Sequence, residues 1–209
     1  MTILAMALSA LGFALVVPAA CGAEVVEVNT VRFALAHPVN NTAASWLEAT
    51  VVLNVAPPAN APGHMVSRVR VLLAVSWESP ALAGGSPRTE YYRSEVECVA
   101  LPAGRSDVRF YFPPELVKRD HLQGSPRVWA VELAVEGRTL QPARGATAIA
   151  LGEAAARRAY LSAVAIGAVA NEGLLQPQYL TPFLLEYPRT TVTCVRREPS
   201  QAPAARLTP

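Results

Sequence analysis

The chain has 209 residues, a formal net charge of +2, 52% hydrophobic residues and 16% charged residues. That suits one domain of ordinary size with ample material for a core. The small net charge, with no basic cluster on any segment, excludes an electrostatic footprint for nucleic acid.

Eighteen prolines and twelve glycines cut the chain into short pieces. Such punctuation favours strands joined by turns over long helices. Residues 3–17 are an uncharged apolar run, broken by Pro18 and followed by small residues as far as Ala23. This predicts a secretory signal peptide over residues 1–23. The run is too short for a spanning helix, so no membrane-spanning segment is expected after signal removal. No Lys or Arg precedes it, a departure from the usual signal. Pro18 stands where a lipoprotein signal usually has Leu, so cleavage after Ala23 is expected over lipidation at Cys21. Cys98 and Cys194 then remain. Two cysteines in an exported chain suggest a disulfide, and two separate buried thiols are the other reading.

Residues 25–35 are β-branched, with Val31, Phe33 and Leu35 alternating as the inner set of a half-buried strand. His37-Pro38-Val39-Asn40-Asn41 reads as a turn. From Trp46 to Val55, period two puts Leu47, Ala49, Val51, Leu53 and Val55 on one face and leaves the other wet. A proline-rich loop follows over residues 56–63. Val69, Val71, Leu73, Val75 and Trp77 are the inner set of the next strand, and a loop over residues 78–88 contains Gly84-Gly85. Tyr92, Val96 and Cys98 share a face of the strand after it. Val108, Phe110 and Phe112 then face inward, with Arg109 and Tyr111 outward.

Residues 114–120 predict one or two helical turns, with Pro114 near the start where its missing N–H is harmless. Trp129, Val131, Leu133 and Val135 alternate in a further strand, closed by a tight turn at Gly137. The alanine-rich segment after Glu153 predicts a short helix to Arg158, then a strand in which Tyr160, Ser162, Val164 and Ile166 alternate. A last strand is expected over residues 190–195, with Cys194 inward, and a flexible tail over residues 198–209. About eight short strands with one or two helical turns, over residues 24–197, argue for a mainly β chain and a β-sandwich, with a barrel as the next reading.

No catalytic, cofactor or metal constellation is legible. His37, His64 and His121 lie in separate loops with no ligand spacing. No nucleophile elbow or phosphate-cradling glycine loop occurs. Glu95 and Glu97 share a strand face, which reads as a solvated row paired to Arg68 and Arg70. Lys118-Arg119-Asp120 reads as a solvated helix end, with partner docking through Lys118 and Arg119 as the sharper alternative. Outward parity of Trp46 and Tyr91 supports a second function class, a carbohydrate-binding module that stacks sugar rings on aromatics. An exported hydrolase is a third reading, without residues to support it.

Residues 109–115 (RFYFPPE), residues 117–120 (VKRD) and residues 171–183 (NEGLLQPQYLTPF) resemble a family of exported, pilin-like proteins of verrucomicrobial bacteria encoded beside type IV pilus machinery. Weaker resemblance covers residues 25–195. The resemblance implies an immunoglobulin-like sandwich, no enzyme activity and no cofactor. It also implies a structural or accessory role beside pilus or secretin proteins in the periplasm or at the outer membrane. A pilin's long apolar helix is missing after Gly22, which favours an accessory protein over a major pilin. In residues 171–183, Pro177 and Pro182 preset extended geometry and Tyr179, Leu180 and Phe183 supply apolar area, so an extended segment packed along the sandwich is expected, with Tyr179 or Phe183 left as a partner contact.

Overall fold

A computed structural model describes residues 25–40, 43–79, 87–186 and 192–195. The predicted signal peptide, Cys21, the Gly84-Gly85 loop and the tail lie outside the described residues.

Nine strands occur among the described residues: β1 (Val26–Ala36), β2 (Trp46–Val55), β3 (Met65–Ser79), β4 (Arg88–Pro102), β5 (Gly104–Phe112), β6 (Val128–Val135), β7 (Arg138–Thr139), β8 (Gln176–Pro177) and β9 (Cys194–Val195). They form two antiparallel sheets, the first in the order β1-β2-β5-β8 and the second in the order β7-β6-β3-β4-β9. Leaving aside β8 and β9, these orders are those of immunoglobulin-type sandwiches, with a fourth strand beside the third. Helix α1 (Pro114–Arg119) follows β5, and α2 (Ala154–Gly167) follows β7.

The expected inner faces meet between the sheets. Leu47, Ala49, Val51 and Leu53 of β2 are buried against Val69, Val71, Leu73 and Val75 of β3 in one apolar cluster. Tyr92, Phe112, Trp77 and Phe33 continue it as a chain of edge-to-face rings, with centroids 5.2–6.0 Å apart. Such geometry sets the electropositive ring edge against the electronegative face.

β1 departs from strict alternation. Its register to β2 shifts between Val28 and Thr30. Beside this bulge the chain returns at Gly145, where an added Cβ would lie 2.2 Å from the Asn29 carbonyl oxygen. Only glycine fits that approach. Val26 and Val28 are fully buried, Val31 and Phe33 half-buried, and Leu35, expected inward, is 61% exposed. Leu35 stands on the edge strand, one residue from its end, opposite Leu47, which is buried. The β6–β7 turn has positive φ at both Glu136 (51°) and Gly137 (86°). This is the mirror-image turn whose twist suits a two-residue hairpin.

The strand expected over residues 160–166 is not formed. α2 runs on through them and ends in a 3-10 turn, Ala168–Asn171. Alanine's helix propensity is supported here by packing: Tyr160, Leu161, Val164 and Ala168 lie on one helix face, against Leu72 and Ala74 of β3 and Tyr91 of β4. The Tyr160 hydroxyl donates to the Val128 carbonyl at 3.1 Å, seating the helix on β6 as well.

Candidate functional site

The wet face expected on β2 is also corrected. Trp46, Thr50 and Val52 are buried despite their outward parity. β5 runs beside β2 with Tyr111 opposite Glu48, so Tyr111 and Trp46 are outward neighbours. Phe183 lies over both. Its ring stacks on Tyr111 at 4.3 Å and 8°, and meets Trp46 edge-on at 5.7 Å and 88°. Phe183 is 1% exposed, so it packs against the sandwich, as expected of the segment, and is not the residue left for a partner. Burial, and then the Glu48 carboxylate, push the Tyr111 phenol well above its ordinary value.

Residues 171–183 place that ring by crossing from one sheet to the other. Asn171 starts the crossing at the edge of the second sheet: its side-chain amide donates to the Tyr91 carbonyl and to Glu90, each at 3.1 Å. Leu175 is fully buried and Leu174 partly so, both packed into the core between the sheets. β8 then pairs with β5, Gln176 opposite Tyr111 and Pro177 opposite Phe110. Proline is tolerated on such an edge strand because its missing donor weakens no interior ladder. Two 3-10 turns follow, Gln178–Leu180 and Pro182–Leu185. Thr181 caps the second by accepting from the Phe183 N–H at 3.2 Å, with Pro182 at its first position. The Gln178 side-chain amide donates to the Phe183 and Glu186 carbonyls at 3.0 and 2.6 Å. The expectation of an extended segment holds only around β8. The Thr-Pro pair was a legible cap signal for the rest.

The VKRD segment is tied to the same crossing. The Tyr92 hydroxyl donates to Asp120, and the Arg119 guanidinium forks onto Asp120 at 2.8 and 2.6 Å. Arg119 also reaches Asn171 Oδ1 at 3.5 Å. Asp120 is 3% exposed, which corrects the reading of this cluster as a solvated cap. Burial alone would raise its carboxyl, but the Arg119 and Tyr92 hydrogen bonds outweigh it and hold Asp120 below the ordinary carboxylate range. Tyr92 is pushed the other way by burial and then by its Asp120 hydrogen bond. No local spacing announces this pair, since the two residues lie 28 positions apart. Lys118 remains exposed, and Arg119 has a side-chain exposure of 55%. Tyr179 is half-buried against the core.

A second polar group lies on the outer face of the first sheet. Arg109 is within 3.4 Å of both Glu48 and Asp107, and Arg105 forks onto Asp107 from 3.1 and 3.4 Å. Its charges are mutually compensated, as in ordinary cross-strand pairing. Arg68–Glu97 at 3.2 Å and Arg70–Glu95 at 3.8 Å form the expected row on the second sheet. The three histidines are exposed, in separate places. Among the described residues no group of three or more His, Cys, Asp or Glu side chains could hold a metal ion.

The sugar-stacking reading loses its residues. Trp46 lies under Phe183. Tyr91 lies under α2, where a Cβ on Gly167 would come within 2.5 Å of its ring. Cys98 and Cys194 are brought together as opposed residues of β4 and β9, with sulfurs 3.4 Å apart and both thiols free. Exposed apolar side chains lie on the two turns: Leu180 on the first, and Leu184 and Leu185 beside Phe183 on the second, Leu185 being 82% exposed.

The fold resembles a crystal structure of a protein from Akkermansia muciniphila, with a TM-score of 0.62 over 83% of this chain and 93% of that one. The two are 14% identical in sequence, a likeness of fold alone. No protein-family model and no curated protein matches the chain. Among the described residues, no helix is long and apolar enough to cross a membrane.

Proposed function

We propose that this protein is a non-enzymatic accessory component of a type IV pilus or envelope assembly system, exported and acting through protein–protein contact. One observation carries the reading. Of the segments that resemble the verrucomicrobial pilin-like family, residues 109–115 and 117–120 are adjacent and residues 171–183 lie about 50 positions on, yet all join in one structural unit. β5 supplies Tyr111, the end of α1 supplies Arg119 and Asp120, and residues 171–183 run from Asn171 at this network to Phe183 on Tyr111. A unit so closely tied presents its exposed Leu180, Leu184 and Leu185 on a rigid base. Exposed apolar side chains on preorganised turns suit a protein partner, because little ordering entropy opposes binding. The sandwich organisation shared with the Akkermansia muciniphila protein is compatible with this reading.

The test is capture from envelope extracts of the native host, with bound proteins identified by mass spectrometry. Secretin or pilus components should be recovered by the wild-type protein and lost with Leu185→Asp, whose melting temperature should be unchanged. A stable wild-type protein that recovers none of them removes the proposal. Tyr179→Ala refines it: lost stability marks Tyr179 as packing, and lost capture at normal stability marks it as interface.

A further inference from the structure

Cys98 and Cys194 face each other across β4 and β9. One residue beyond, the Val99 N–H donates to the Thr193 carbonyl at 3.0 Å. In an antiparallel ladder this makes Cys98 and Cys194 a non-hydrogen-bonded pair, the kind whose Cα atoms stand closest, about 4.5 Å apart. A disulfide spans Cα separations of about 4.4–6.8 Å, so such a pair needs no backbone movement to be bridged. The sulfurs, 3.4 Å apart, already point at each other.

The two thiols are not equivalent. Cys98 is fully buried on the inner face of β4, whereas Cys194 is only partly buried. Cys194 also lines a cavity of about 60 Å³ together with Val96, Asp107, Pro177, Tyr179 and Val192. An external reagent therefore meets Cys194 first.

We infer that Cys98 and Cys194 are an oxidation site, closing a cross-strand disulfide that fastens the C-terminal strand to the edge of the second sheet. The oxidant is a disulfide, R–S–S–R, of a small thiol or a dithiol protein. The Cys194 thiolate attacks one of its sulfurs, forming a mixed disulfide and releasing RS⁻, which takes the Cys98 proton. The Cys98 thiolate then attacks Cys194 Sγ and expels the second RS⁻, which takes the proton lost earlier by Cys194. Two protein thiols are oxidised to one disulfide, and R–S–S–R is reduced to two R–SH. The hydrogen bond between the sulfurs assists: it holds the Cys194 thiol below its ordinary value and the Cys98 thiol above.

The bond has a structural task that hydrogen bonding alone performs poorly. Among the described residues β9 pairs with β4 at Glu97 and Cys98, with the Val99–Thr193 hydrogen bond beside them, whereas β4 runs from Arg88 to Pro102. So short a pairing is weak in water. A covalent bond across positions 96 residues apart restricts the unfolded chain and keeps β9 over an edge otherwise open to strand addition.

The experiment uses the full chain, folded and equilibrated with oxidised glutathione, then alkylated and cut with trypsin. Cleavage at Arg93, Arg105, Arg189 and Arg196 leaves Cys98 in the peptide 94–105 and Cys194 in 190–196, both distinct from the peptide holding Cys21. The expected result is peptide 94–105 joined to 190–196. The melting temperature should rise by about 5–15 °C over the reduced protein, and Cys194→Ser should abolish the rise. Both peptides alkylated, glutathione retained on Cys194 alone, or a bridge to Cys21 would each overturn the inference.

Discussion

The outer face of the second sheet is covered by one regular helix, and that of the first by two short turns laced down through side chains. α2 packs with Val164, Ala168 and half-buried Tyr160 and Leu161, while Ile166 and Val169 stay exposed on its far side. The other cover packs with three rings, Trp46, Tyr111 and Phe183, and holds its backbone with Gln178 and Thr181. A helix satisfies its own backbone, so a modest apolar stripe is enough to seat it. Irregular turns leave backbone groups to satisfy, so they need side-chain hydrogen bonds and a large buried anchor. The second kind of cover is therefore the more sensitive to single substitutions.

Phe183→Ala should break that contrast most directly. Loss of the stacked ring should cost about 3–5 kcal/mol in urea unfolding. Val164→Ala, its counterpart under α2, should cost only about 1.5 kcal/mol from the methyl groups removed. Equal losses at the two sites would mean that the covers are equally anchored.

Between these two falls Asp120→Asn, which weakens the tie between the end of α1 and Tyr92 of β4 by about 2 kcal/mol at neutral pH. Its pH dependence is the sharper readout. Asp120 titrates below its unfolded value, so its contribution is whole above about pH 4 and fades as pH falls through the folded pKa. Tyr92 titrates above its unfolded value, so its contribution is whole below about pH 10 and fades as pH rises further. The variant should flatten the acid limb of a stability–pH curve. An unchanged acid limb would mean that the network does not couple to folding.

The smallest effect belongs to the shared interior. Ser106 is buried among apolar neighbours, and its hydroxyl lacks a hydrogen-bond partner among the described residues. Ser106→Ala should be neutral or stabilising by up to about 1 kcal/mol. A loss of stability there would point to a partner for the hydroxyl.

Much of this was legible in the residues. Inner faces could be read because a strand's period of two and a buried face impose one pattern, which β2, β3, β4 and β5 keep. The helical turn after Pro113 and the hairpin at Gly137 could be read because proline and glycine restrict φ locally. Outer faces could not. Alternation says which residues point away from the core, but not what later lands on them, and Trp46 and Tyr111 are buried by a ring 72 positions beyond the nearer of them. The alternation of Tyr160, Ser162, Val164 and Ile166 misled for a related reason. Alanine-rich sequence suits several patterns, and the face that β3 and β4 offered to Val164 and Ala168 chose the helix.

By itself the sequence determined strand composition, the inner core and the places where turns must fall, because these follow from local sterics and from apolar periodicity. Tertiary structure alone decided that residues 171–183 cross between the sheets, that Asp120 is buried and that Cys98 meets Cys194. Each of these joins residues far apart along the chain. Such contacts depend on the strand order, and no single segment encodes it.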